Sequence, residues 1–113
     1  MSEPARALPL TGKLVRPEAL RLQGAQTAQL KWLRGDAPEK YYPAAARAAG
    51  ADGIVTVDLL VNAQGQVLEA QVINESPPGL GFGLAALDAA KTYEYENRLQ
   101  RLVLMSITVG FLP

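Results

Sequence analysis

The chain has 113 residues, of which 49% are hydrophobic and 19% are charged. A chain of this length folds as one domain and buries a core without help from disulfides or a metal. Eleven basic side chains balance eleven acidic ones, so no field draws phosphate backbones or anionic lipids to the surface. The composition therefore argues against nucleic acid as a partner.

The sequence lacks both Cys and His. Thiol nucleophiles, His-dependent serine triads and zinc fingers each need at least one of these residues. Asp58 and Glu69 are a candidate carboxylate pair for acid–base catalysis, but strand alternation predicts that both lie on the solvated side of a half-covered sheet. We therefore predict that the chain is not an enzyme and holds no cofactor and no metal.

Membrane insertion of this chain is not expected. Its longest uncharged runs are twelve residues each, at 76–87 and 102–113, whereas a membrane-spanning helix needs about 20 apolar residues. The first ten residues contain an acid and two prolines, where a signal peptide has a basic start and an apolar stretch. As written, the chain is expected to stay in the compartment where it is made.

Residues 1–38 are predicted to be an N-terminal extension punctuated by prolines. Residues 10–15 are a short apolar stretch that predicts a strand, and residues 18–33, which follow Pro17, have loose helical spacing that predicts a helix. The predicted strand offers a cover for a sheet edge. It either plugs the edge within one chain or is exchanged between the two chains of a dimer.

Residues 39–113 are predicted to form an α+β domain. Residues 44–49 are rich in Ala and are followed by Gly50, which predicts a short helix. Residues 54–61 alternate as a half-buried strand does, and an Asn-Ala-Gln-Gly loop joins them to a returning strand at 66–74. These two strands are expected to form an antiparallel hairpin.

The second half of this domain contains a helix and the last strand. Residues 84–91 predict a second helix, Tyr93 and Tyr95 alternate along an extended segment, and residues 101–112 predict a final strand. The order helix, strand, strand, helix, strand favours a small three-stranded antiparallel sheet with two helices packed on one face.

Three stretches of the sequence carry a family resemblance. They are Tyr-Pro-Ala-Ala-Ala-Arg from Tyr42, Gly-Ile-Val-Thr-Val-Asp-Leu-Leu-Val-Asn-Ala-Gln-Gly-Gln-Val from Gly53, and Ala-Leu-Asp-Ala-Ala-Lys-Thr-Tyr-Glu-Tyr from Ala86. In this order and spacing they resemble the C-terminal domain of TonB-family energy transducers, over residues 39–112. No single stretch is specific, but their combination is.

The resemblance implies a protein-binding domain, in which an extended peptide of an outer-membrane transporter adds to an exposed strand edge for energy-coupled uptake. We predict that the last strand supplies this edge, because unpaired backbone groups there accept a guest strand. Two tyrosines are predicted to flank the groove, since an aromatic ring with a polar tip suits an interface. The predicted peptide-binding residues are Tyr41, Tyr42, Arg101, Val103, Met105, Ile107, Val109 and Phe111.

Alternatives stay open at this point. The last strand is equally well explained as a core strand, paired centrally or in a homodimer, and the two tyrosines as packing residues. A soluble, free-standing scaffold that dimerises through its sheet edge, without energy transduction, is the second functional hypothesis. By resemblance, the domain is periplasmic if it is excised from an anchored protein, whereas a true start at Met1 would make it cytoplasmic.

Overall fold

The computed structural model describes residues 12–113, so the strand predicted at 10–15 lies partly outside the described residues. Residues 12–15 are not part of a strand. The helices and strands are β1 (Leu20–Arg21), β2 (Leu30–Arg34), α1 (Ala44–Ala48), β3 (Gly53–Val61), β4 (Val67–Ser76), α2 (Phe82–Ala90), β5 (Glu94–Asn97) and β6 (Val103–Phe111). Two short 3-10 helices, Gly24–Gln29 and Pro38–Tyr41, precede β2 and α1.

The central sheet has the strand order β1-β6-β3-β4. β3 is antiparallel to both of its neighbours, β6 and β4, as predicted. β1 adds a fourth, parallel strand of two residues beside β6, and β2 pairs with β5 in a separate two-stranded sheet. The predicted α+β class is confirmed, with a central sheet one strand wider than expected.

The β3–β4 hairpin forms for local reasons. At its turn, Oδ1 of Asn62 accepts hydrogen bonds from the backbone N–H groups of Gln64 (3.0 Å) and Gln66 (2.9 Å). Gly65 has a φ of 85°, a left-handed conformation that glycine adopts without steric cost. A Cβ atom there would lie 1.7 Å from the carbonyl oxygen of Tyr95. The turn therefore requires glycine both for its backbone angle and for its close approach to β5.

The larger core lies between the sheet and the helices. The alternation predicted for β3 places four side chains on one face, and all four are fully buried: Val55, Val57, Leu59 and Val61. Phe82 at the start of α2 is also fully buried, and its ring centroid lies 5.1 Å from that of Phe111. Burial of one such side chain contributes about 1.5–3 kcal/mol. Neither α-helix of residues 12–113 could span a bilayer, since the longer one, α2, has nine residues.

The helix predicted at 18–33 is wrong. In its place the chain forms β1, a 3-10 helix and β2. Gly24 has a φ of 56°, which breaks the run, and Leu30 pairs with Asn97 of β5. Leu22 and Leu30 are buried in the larger core, so tertiary contacts outweigh the weak helical propensity of this stretch. This part of the predicted N-terminal extension packs against the same core as the rest of the domain.

The second face of the sheet is crossed by residues 12–22, which we call the strap. Leu14 of the strap packs with Leu60 of β3 and Leu104 of β6 in a small apolar cluster. At one end the strap touches β4, and at the other end it becomes β1 beside β6. The sheet is therefore covered on both faces where the strap passes.

The prediction that Asp58 is solvated is wrong. Asp58 is 0% exposed and forms an ion pair with Arg21 of the strap. Glu69 is half-exposed, with 40% of its side chain accessible, and pairs with Arg16 of the strap. These cationic partners lie 37 and 53 residues away along the chain. The alternation of one strand carries no information about partners at such separations.

Candidate functional site at the open edge of β6

The two edges of β6 are paired unequally. On one side β6 pairs with β3 over its whole length, from Val103 opposite Val61 to Phe111 opposite Gly53. On the other side it pairs with β1 only at Val103 and Leu104. Within the described part of the chain, no strand pairs with that second edge from Met105 to Phe111. We call this stretch the open edge.

The backbone groups that face the open edge follow from strand alternation. Beside β1, the Leu20 N–H donates to the Leu102 carbonyl (3.0 Å) and the Leu22 N–H donates to the Leu104 carbonyl (2.8 Å). In a strand, the N–H and C=O groups of every second residue point to the same edge. The backbone groups of the residues that follow Leu102 and Leu104 in this alternation therefore point to the open edge. These residues are Ser106, Thr108 and Gly110, and all three are exposed.

The β6 residues predicted to bind peptide belong to the other alternating set. Val103, Met105, Val109 and Phe111 are buried in the larger core, and Ile107 is partly buried against it. Arg101 is exposed just before the strand begins, and its carbonyl accepts a hydrogen bond from the side chain of Asn97 (2.8 Å). Peptide binding through these residues stays a prediction. Their β6 side chains pack into the core, and the edge itself is formed by the residues between them.

Sequence reasoning missed Ser106, Thr108 and Gly110. The signal was present, because these small and polar side chains alternate with the five apolar ones along β6. The alternation shows which side chains of β6 are buried. To assign its free edge, one must also know on which side of β6 strand β3 lies. Only the pairing of β6 with β3 and β1 supplies that information.

The two predicted tyrosines have different environments. The ring of Tyr42 lies edge-on to Phe82 and Phe111, with centroids 5.8 and 5.9 Å away, and its hydroxyl donates to the Ala51 carbonyl. Tyr41 donates its hydroxyl to Oδ2 of Asp36 (2.6 Å). This hydrogen bond raises the pKa of Tyr41 and lowers that of Asp36. Tyr42 therefore packs at the Phe111 end of β6, while Tyr41 is held by the Asp36 carboxylate.

A cleft lies at each end of the open edge. At the Phe111 end, a largely apolar cleft of about 530 Å³ extends toward β3 and β4, where Ile54 and Pro77 line it together with Gly110 and Leu112. At the Ser106 end, a smaller cleft of about 210 Å³ is more polar, and two cationic residues contribute to its lining. They are Lys13 and Arg21. The two ends of the open edge thus differ in chemistry.

A buried carboxylate lies beside the Ser106 end. Asp58 accepts hydrogen bonds from the Leu14 N–H (2.7 Å), from both terminal nitrogens of Arg21 (2.5 and 2.7 Å) and from the Ser106 hydroxyl (3.1 Å). Burial raises the pKa of Asp58, but the hydrogen bonds and the charge of Arg21 outweigh that effect and hold the pKa below its ordinary value of 3.8. Asp58 is therefore an ionised anchor for the strap.

The remaining acidic residues form no evident metal site. Within residues 12–113, no group of three acidic side chains is placed to hold a metal ion. Every buried side-chain nitrogen or oxygen in that range has a hydrogen-bond partner. The distinctive feature of residues 12–113 is thus the open edge of β6, which none of their strands pairs.

Comparisons with known proteins agree with this architecture. The family described as Gram-negative bacterial TonB protein C-terminal matches residues 38–111. The solution NMR structure of the Pseudomonas aeruginosa TonB CTD is 22% identical, with a TM-score of 0.59 over 82% of this chain and 92% of that chain. A TonB2 protein from Vibrio anguillarum is 17% identical, with a TM-score of 0.48 over 98% of this chain and 97% of that chain. No curated protein sequence matches the chain.

The family match spans most of the chain and includes both α-helices and β3 to β6. Members of this family are protein-interaction domains that act with outer-membrane transporters, and the family is periplasmic. The structural similarity to the Pseudomonas aeruginosa domain shows that the two share a fold. The chain belongs to the family of TonB C-terminal domains.

Proposed function

We propose that this chain binds an extended peptide of an outer-membrane transporter by strand addition to the open edge of β6. The observation that supports this most strongly is the outward-facing backbone of Ser106, Thr108 and Gly110, which no described strand pairs. A guest strand gains main-chain hydrogen bonds from such groups, and its alternate side chains read the surface beside them. The proposed interaction is non-covalent binding.

Among the residues that the structure describes, the open edge lacks the features that normally protect an edge strand. Proteins discourage strand addition with charged residues, prolines or covering segments. From Met105 to Phe111, β6 contains no charged residue and no proline. The opposite edge of the sheet is different, since β4 contains two glutamates and its Val72 carbonyl already accepts a hydrogen bond from the Gly12 N–H (2.9 Å). These differences favour β6 as the docking edge.

Energy-coupled uptake and a periplasmic location belong to the same proposal. Binding alone transmits no force, so a mechanical role requires that the domain be connected to a membrane-anchored partner or segment. The domain would then pull on the transporter through the backbone hydrogen bonds of the added strand. Several parallel bonds along one edge share such a load.

The test is a backbone NMR titration of the labelled chain with peptides that reproduce N-terminal segments of outer-membrane transporters. We expect saturable shifts centred on Ser106–Gly110. Thr108→Pro removes an outward N–H group and should weaken binding about tenfold, whereas Thr108→Val keeps that group and should bind like the wild type. Ala70→Pro, which changes the opposite edge, controls for general damage to the sheet.

Two results would contradict strand addition at this edge. The first is a folded monomer that shows no shift with any of these peptides. The second is equal binding by Thr108→Pro and Thr108→Val, when the spectra of both variants show a folded domain. If Thr108→Pro and Ala70→Pro weaken peptide binding equally, the cause is a loss of sheet stability and not the loss of the N–H group at the open edge.

Homodimerisation through the same edge is the second candidate function. It is supported by the uncharged surface of the open edge, which suits a second copy of β6 as well as a foreign peptide. Sedimentation analysis distinguishes the two. A concentration-dependent dimer that Thr108→Pro dissociates and Thr108→Val leaves intact would favour the dimer, and a monomer at all concentrations would exclude it.

A further inference from the structure

The strap crosses the central sheet from β4 to β6. The N–H group of Gly12 donates to the Val72 carbonyl of β4, and the Gly12 carbonyl accepts from the Gln71 side chain (2.7 Å). The strap then crosses β3, with Leu14 against Leu60, and ends as β1 on the same edge of β6 that is open farther along. It therefore occupies the part of this β6 edge that directly precedes the open edge.

One carboxylate holds both ends of this crossing. Asp58 binds the Leu14 N–H and the Arg21 guanidinium, and Arg21 also donates to the Leu14 carbonyl (3.1 Å). The Ser106 hydroxyl donates to the same carboxylate. Asp58 thus links the strap to the first outward-facing residue of the open edge. We call the Asp58–Arg21 pair the latch.

We propose that the strap is an internal strand that ends the accessible edge of β6 at Ser106, and that the latch keeps it in place. This inference rests on the proposed function and adds a determinant of specificity to it. A guest strand can pair with Ser106, Thr108 and Gly110 but not with Leu102 or Leu104, whose carbonyls already accept hydrogen bonds from the strap. The latch therefore sets the length and register of the peptide that fits.

Removing only one of the two charges of the Asp58–Arg21 pair should release the latch, whereas removing both should not. Without the guanidinium, Asp58 would be a buried carboxylate with no counter-charge, a costly arrangement. Opening the strap brings water to Asp58 and withdraws Leu20 and Leu22 from the larger core, whose other side chains stay packed. A single substitution at Arg21 should therefore free the strap, whereas removal of both charges leaves no buried ion and lets the strap close again.

The experiment compares Arg21→Met with the double variant Arg21→Met/Asp58→Asn by amide hydrogen exchange in the full chain. The reporting amides are those of Leu20 and Leu22, which donate to β6, and the amides of Val57 and Leu59 report on the central strand. We expect at least about tenfold faster exchange of the strap amides in Arg21→Met. The double variant should resemble the wild type, and β3 should stay protected in all three proteins.

A series of transporter-like peptides of increasing length tests the effect on the docking edge. With the wild type, affinity should stop rising once the peptide covers Ser106–Gly110. With Arg21→Met, further residues should add affinity, because the edge is open back to Leu102. The double variant should restore the wild-type limit.

Each outcome separates the latch from the proposed function. Equal acceleration in the strap and in β3 would show that the strap opens only with global unfolding, which overturns the latch. Released strap amides with the same peptide-length limit in Arg21→Met would overturn its role as the end of the edge. Failure of every peptide to bind any variant would refute the proposed function and the length limit with it, while hydrogen exchange would still decide the latch.

Discussion

The two faces of the central sheet are covered by different means. On the helix side, large apolar side chains such as Phe82 and Phe111 fill the space over β3 and β6. On the strap side, three leucines form a small cluster, and a buried ion pair holds the covering segment. Apolar packing depends on area and has no preferred direction, whereas the hydrogen bonds to Asp58 require one position of the strap. We therefore expect the helix side to supply most of the stability of the fold. On the strap side, the hydrogen bonds to Asp58 fix the position of the strap.

The largest expected effect tests the helix-covered face. Phe82→Ala should lower the free energy of unfolding by about 3–5 kcal/mol, because it leaves a cavity among fully buried side chains. Denaturant titration measures this change. Ile54→Ala is a control in β3, because Ile54 is 56% exposed and its loss should change stability by about 0.5 kcal/mol or less. A Phe82→Ala domain as stable as the Ile54→Ala domain would show that the apolar face is not the main source of stability.

An intermediate effect is expected on the strap-covered face. Asp58→Asn keeps the side-chain shape but removes the charge that binds Arg21, so unfolding should become easier by about 1.5–3 kcal/mol, the range for hydrogen bonds to charged groups. The cost is limited because opening the strap withdraws only Leu20 and Leu22 from the larger core and leaves its other side chains packed. The same substitution should also weaken protection of the strap amides more than that of β3. A cost above that of Phe82→Ala would reverse the comparison between the two faces.

The pH dependence of stability gives an independent test of Asp58. A carboxyl group whose pKa is lower in the folded than in the unfolded chain contributes stability above its unfolded pKa, and that stability is lost as pH falls through the folded pKa. The pKa of Asp58 is held below 3.8. The stability difference between the wild type and Asp58→Asn should therefore be constant from about pH 5 upward and should shrink as the pH falls below 3.8. A difference that grows on acidification would contradict this assignment.

The smallest effect is expected at an exposed ion pair. Arg34 and Glu94 join the strands of the two-stranded sheet at 2.5 Å, but their side chains are 65% and 52% exposed. Arg34→Ala should cost less than about 1 kcal/mol, since water and salt screen such pairs. A double-mutant cycle with Glu94→Ala measures the pair itself. A coupling as large as the effect of Asp58→Asn would show that burial is not what distinguishes the latch.

Local patterns predicted the hairpin and both helices. The predicted strands at 54–61 and 66–74 lie within β3 and β4 apart from Gln66, and the predicted helices at 44–49 and 84–91 overlap α1 and α2 with shifts of one or two residues. These elements depend on neighbouring residues: Ala-rich stretches, alternation and the Asn62–Gly65 turn. The final strand was also predicted, but its binding residues were taken from the inward-facing set. The alternation of a strand shows which side chains are buried, whereas its free edge is known only once its pairing partners are known.

The sequence by itself determined the class of fold, the alternation of β3 and the resemblance to the TonB family, because each is encoded in short stretches of adjacent residues. Only the tertiary structure decided the arrangement of residues 12–34, the burial of Asp58 and the extent of the open edge. The physical reason is distance along the chain. Arg21 meets Asp58 across 37 residues. β1 lies near one end of the chain and pairs with β6 near the other end. Such contacts form only when the sheet has brought those segments together.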